Sequence, residues 1–132
     1  MSIKIFYDEH FKTWIYAAYG EKREAYIDFV NRNVTRKEDK VNMSEGNVGC
    51  IQWGFDQRKK RRIMFLWTLR KDVSHLAHEV MHIILEFGNY FGTIRKSTTE
   101  DQEHTAMFAE FLVRKITEKE EKKHGRVHKK KA

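Results

Sequence analysis

Apolar positions along the 132-residue chain change their period several times, and each change marks an element. The opening IKIFYD is rich in β-branched and aromatic residues and predicts a strand. The next stretch, HFKTWIYAAYG, fits an aromatic strand or a short helix. From Glu21 onward Ala25, Tyr26, Phe29 and Val30 recur at spacings of three and four, with Lys22, Arg23, Asp28 and Arg32 between them. That spacing predicts an amphipathic helix ending near Asn33. The polar TRKEDKVNMSEGN keeps no period and reads as a connecting loop.

VGCIQWGF and RIMFLWTL then predict two strands, joined through polar DQRKKR as a hairpin with a longer loop. Gly49 and Gly54 in the first of them mark bulges or points where another backbone approaches. Asp72 or Ser74 is placed to cap a helix over HLAHEVMHIILEF, with Leu76, Val80, Ile83, Ile84 and Phe87 as its buried stripe. Gly88, with Asn89 behind it, is the expected stop. A loop, NYFGTIRKSTT, leads to a last helix, EDQEHTAMFAEFLVRKI, capped by Thr98 or Thr99 and acidic in its first turn, as the helix dipole favours. Elements of both kinds in this order indicate an α+β domain with helices against one small sheet.

Length and composition fit one compact core: apolar residues make up 40% and aromatics 13%, including three Trp, five Tyr and nine Phe. The domain is expected over residues 1–117, followed by a basic tail over 118–132 in which few apolar residues remain to anchor the backbone. The net charge is +7, concentrated in Arg58, Lys59, Lys60, Arg61 and Arg62 and in that tail. Both stretches attract phosphates, and weak nucleic-acid contact is the partner they imply. Neither carries the interleaved aromatics that stack on bases, so both read first as a solvated loop and tail. A single cysteine, Cys50, excludes an internal disulfide and reads as a small core residue. The first residues hold no apolar run long enough for a leader or a membrane span, so the expected location is cytoplasmic, with no membrane partner.

Within HLAHEVMH, residues 78–82 match H-E-x-x-H and fall inside the expected helix. Residues four apart share a helix face, so the imidazoles of His78 and His82 can meet one metal ion, while Glu79 lies close enough to reach a water that the metal activates. Among seven histidines such a spacing also arises by chance. The apolar neighbours Leu76, Val80, Ile83 and Ile84 weigh against chance, because ionisable groups on a largely buried helix need a partner or a metal. A catalytic zinc site usually takes three protein ligands, and Glu100, Asp101, Glu103 and His104 cluster at the start of the last helix. His75, three residues before His78, reads as a capping or supporting residue, since ligation by three histidines of one straight helix strains tetrahedral geometry.

AHEVMHIIL followed by DQEHTAMFAEFLVRKI resembles the small single-domain zincin-type metallopeptidases of the gluzincin branch, especially the compact peptidases of tailed phages. More remotely it is similar to the ImmA/IrrE-type domains. The likeness covers roughly residues 62–116. It implies a zincin-like α+β fold, a zinc ion held by His78, His82 and Glu103, Glu79 as general base, and peptide or protein as substrate. It also implies that the substrate lies extended along the sheet edge beside the motif helix, with RIMFLWTL as that edge and Arg58–Arg62 near one end of the cleft. The pattern departs from the family one turn after Glu103, where larger gluzincins carry an acidic residue and this chain has Met107. Tyr90 and His104 are the candidates for stabilising the oxyanion. The competing expectation keeps the fold and the metal but uses them for binding nucleic acid or a host protein, with little or no hydrolysis.

Overall fold

A computed structural model describes residues 3–9, 11–41, 46–91 and 99–118, with residues 88–91 and 99–101 described by their backbone alone. Two antiparallel hairpins make the sheet. The first joins β1 (Ile3–Asp8) to β2 (Thr13–Tyr19), and the second joins β3 (Gly49–Asp56) to β4 (Arg61–Thr68). β2 and β4 pair in parallel, giving the order β1-β2-β4-β3. α1 (Arg23–Asn33) follows β2, a 3-10 turn spans Lys37–Asp39, and α2 (Val73–Phe91) and α3 (Thr99–Thr117) close the described chain. The class is α+β, as expected. The small sheet is mixed, with two antiparallel pairings and one parallel, which fits the expectation of a mostly antiparallel sheet, and both of its faces are covered.

Strand alternation divides the core into two clusters. Ile63, Phe65 and Trp67 of β4 turn toward Tyr26, Phe29 and Val30 of α1. Met64 and Leu66 turn the other way, toward Leu76, Val80, Ile83 and Phe87 of α2 and Phe108, Leu112 and Ile116 of α3. Residues Ile63 to Trp67 therefore all have 0% exposure. This corrects the expectation that RIMFLWTL is an exposed edge. An unbroken apolar run is the mark of a strand buried on both faces, and β4 lies between β2 and β3; the edges are β1 and β3.

The ambiguous aromatic stretch is strand β2, held between two partners. Asp72 is the cap of α2: its carboxylate accepts the Ser74 N–H at 2.7 Å and its carbonyl accepts the Leu76 N–H. α2 runs through Gly88 to Phe91 rather than stopping there. A helical glycine costs about 1 kcal/mol, and the packing of Phe87 against Phe11 (4.6 Å), Trp53 (5.3 Å) and Phe108 (5.6 Å) holds the helix just before it. The expected loop thus loses residues 89–91 to α2, and residues 92–98, with Thr98 as a cap, lie outside the described residues, as do residues 119–132 of the tail.

The contacts fix directions. Glu79 lies against Gly49, which is paired with Thr68, whereas Phe87 meets Trp53, which is paired with Met64; α2 therefore runs toward the β3–β4 turn. α3 runs back the other way, since Phe108 meets Phe11, Phe111 meets Phe6, and the Glu118 carbonyl accepts the Lys4 ammonium. The sheet has a turn end, with the β1–β2 and β3–β4 turns, and an opposite end, where α2 begins.

Candidate functional site

His78 and His82 share the exposed side of α2 with Met81 and Leu85, which are 53% and 45% exposed. One helical turn separates the two rings, and their Nε2 atoms stand 3.2 Å apart with ring centroids at 4.8 Å. The donor chemistry and spacing fit a zinc ion: at Zn–N distances of about 2.0–2.1 Å, two tetrahedral ligands have nitrogens about 3.3 Å apart.

Glu79 points the opposite way from the pair's solvent side and is buried, at 7% exposure. Its carboxylate makes no hydrogen bond or ion pair among the described residues. Burial raises its pKa above the ordinary glutamate value, and the nearby His82, His78 and His75 only partly offset this. Space for the carboxylate comes from β3. A Cβ on Gly49 would lie 2.7 Å from Glu79 Oε2 and 3.1 Å from the Trp67 carbonyl. Gly49 is thus a close-approach glycine, but what approaches is a side chain. Gly54 is alike: a Cβ there would meet Val34 and Phe65 at 2.6 and 2.8 Å. The β3–β4 register runs unbroken through both, so neither is a bulge.

On the other face of β3, behind Gly49, lies a second polar cluster. The Tyr26 hydroxyl donates to Gln52 Oε1 at 3.2 Å, and the Cys50 thiol donates to that hydroxyl at 3.6 Å. Burial pushes the Cys50 thiol up to about 11, with Glu79 adding to the rise and the Tyr26 hydrogen bond opposing it. Cys50 is a packed thiol, as its apolar neighbours implied.

The remaining candidates are spread further. Glu103 is exposed near the start of α3, before Phe108; because α3 runs antiparallel to α2, it lies beyond Phe87 from the side of His82. Among the described residues no three His, Cys, Asp or Glu side chains gather into a metal-holding group. The side chains of Tyr90, Glu100 and Asp101 lie outside the described residues. His75 is half-buried one turn before Glu79. His104 faces a cavity of about 560 Å³ between the end of β1 and α3, lined also by Asp8, Glu9, Met107, Phe108 and Phe111, to which α2 contributes nothing. The paired imidazoles and the Glu79 carboxylate lie apart from that cavity, on α2. Arg58–Arg62 sit at the turn end, at the far end of β3 from Gly49, a strand length of roughly 24 Å.

Comparison with protein-family models, with curated proteins and with solved structures finds no match to this chain. What defines the site is its own geometry, an α+β fold carrying an imidazole pair and a buried, unpaired carboxylate on one helix. No described helix is long and apolar enough to cross a membrane.

Proposed function

We propose that the chain is a zinc-dependent hydrolase of peptide bonds. The observation that carries this reading is the 3.2 Å separation of the His78 and His82 Nε2 atoms, beside the largely buried Glu79 carboxylate, which accepts no hydrogen bond among the described residues. His78 and His82 would hold the zinc, and the third ligand is Glu103, which the first turns of α3 must carry toward the pair when metal is bound. Zinc so held supplies a Lewis acid for the scissile carbonyl and makes a water acidic enough to react near neutral pH.

Glu79 would serve as the base for such a water, holding its proton at a carboxylate oxygen and giving it to the leaving amine. Its environment suits the task, because desolvation makes the carboxylate a better proton acceptor than one in water. Gly49, lacking a Cβ, leaves the space that the carboxylate occupies. The substrate strand belongs beside β3, the edge next to α2. Phe55 already turns its N–H to Asp39 and its carbonyl to the Thr35 N–H along that edge, and the two-residue alternation of a strand points the backbone groups of Ile51 the same way.

Elemental analysis of the purified full chain is expected to find about one zinc per chain, lost in His78→Ala and in His82→Ala. Glu103→Ala should weaken zinc binding without abolishing it. Against a mixed peptide library, Glu79→Gln should retain zinc and lose about 10²–10⁴-fold in turnover. A Glu79→Gln protein that cleaves as fast as the parent would end the proposal.

A further inference from the structure

The hydrolytic reading makes no use of the basic run Arg58–Arg62, and the fold changes what that run is. In sequence no aromatic is interleaved with it; in the sheet, adjacent strands supply them. The Arg61 guanidinium stacks 3.6 Å from the centroid of Trp14 and donates to the Tyr16 hydroxyl at 2.9 Å. Tyr7 packs edge-on against Trp14 at 5.4 Å and is 41% exposed, and Ile5, two residues before it, is 50% exposed. Tyr7 pairs with Trp14, and Trp14 with Ile63, so this row crosses β1, β2 and β4 on the face that carries α1. The apolar side chains of α1 pack over β2 and β4 and leave the β1 part of the row open.

Charge surrounds the row on one side. The β1–β2 turn presents Lys12 and the β3–β4 turn presents Lys59 and Lys60, all exposed, and no ion pair holds Lys59 or Lys60 among the described residues. The carboxylates at this end are largely committed: Asp8 is buried and accepts the Phe11 N–H, and Asp56 is buried and accepts from Arg58. Glu9 is exposed beside them. The balance at this end is cationic.

We infer that this row is a docking platform for single-stranded nucleic acid, with a base stacking on the exposed Tyr7, which Trp14 and Arg61 back, and phosphates meeting Lys12, Lys59 and Lys60. Planar rings beside free ammonium groups suit a strand whose base faces are open. A duplex hides those faces, and an acidic peptide has none. The platform stands apart from the His78–His82 pair, so it does not depend on the metal site.

The experiment titrates the full chain into a labelled oligothymidylate, a duplex of equal length and anionic phosphatidylserine vesicles, at 50 and 200 mM salt. The expected result is binding to the single strand, at least tenfold weaker binding to the duplex, and affinity that falls steeply with salt. Tyr7→Ala should weaken single-strand binding about tenfold with its salt dependence unchanged. Lys59→Glu with Lys60→Glu should weaken it and flatten the salt dependence. Thermal melting checks that each variant is folded. The inference is overturned if the oligothymidylate does not bind at 50 mM salt, if the duplex binds as tightly, if neither variant changes the affinity, or if vesicles bind with the same dependence on Tyr7.

Discussion

The two ends of the β3–β4 hairpin treat charge in opposite ways. At the turn end every arginine side chain is accommodated: Arg58 reaches Asp56 and the Arg32 carbonyl, Arg61 the Trp14 ring and Tyr16, Arg62 the Trp53 ring at 4.9 Å. At the other end Glu79, 7% exposed, accepts no hydrogen bond among the described residues, and only the nearby His82, His78 and His75 offset its burial. Cations stacked on rings and capping a helix strengthen the fold that holds them. A buried carboxylate without a partner weakens it, and such a cost persists where a group has work to do.

Five measurements test this contrast, in decreasing order of effect. Trp67→Ala, at the Glu79 end, removes a fully buried ring stacked on Tyr26 at 5.4 Å and an indole N–H bonded to the Glu21 carbonyl, and should cost about 3–5 kcal/mol in urea unfolding. Trp53→Ala, nearer the turn, loses a half-buried ring and should cost roughly half as much; equal losses would mean that the two ends are equally packed. Next comes the Cys50 thiol. With its pKa near 11, the thiol stays protonated in the native state until the pH approaches that value. At pH 8 about one thiol in a thousand is ionised against about a quarter of free cysteines, so native alkylation by iodoacetamide should be about two hundred times slower than in urea. The rate should climb about tenfold per pH unit below 11; a native rate matching the unfolded one would show an open thiol.

Gly49→Ala follows, expected to cost about 1–3 kcal/mol because the new methyl meets both the Glu79 carboxylate and the rigid Trp67 carbonyl. In the proposed enzyme it should also depress turnover. Gly46→Ala is the comparison: among the described residues nothing lies within 4 Å of its would-be Cβ, and the change should stay within about 0.5 kcal/mol. Should the two glycines respond alike, the crowding at Glu79 is not what limits that position.

Local patterns carried much of this structure. The spacing of Ala25, Tyr26, Phe29 and Val30 located α1, the paired apolar runs located the β3–β4 hairpin, and H-E-x-x-H placed two imidazoles one turn apart. The likeness to zincins assigned RIMFLWTL to an edge, whereas its unbroken apolar run IMFLW belongs to a strand buried on both faces. Other features depend on which elements become neighbours. Trp14 and Trp53 are remote in sequence from Arg61 or beside it only through the hairpin, so the rings serving the basic run cannot be read from the run itself. The same holds for Gly49, whose partner Glu79 is thirty positions away, and for Glu103, whose position follows from the antiparallel return of α3.

The parallel seam between β2 and β4 bears on how the chain reaches this state. Each hairpin closes over a short turn, whereas Trp14 finds Ile63 across roughly fifty intervening positions. Contacts of that span form late and slowly, since the loop must be closed before it yields any return. Until the seam zips, β2 and β4 each present a long apolar margin, and those few strand lengths are where association between nascent chains would begin.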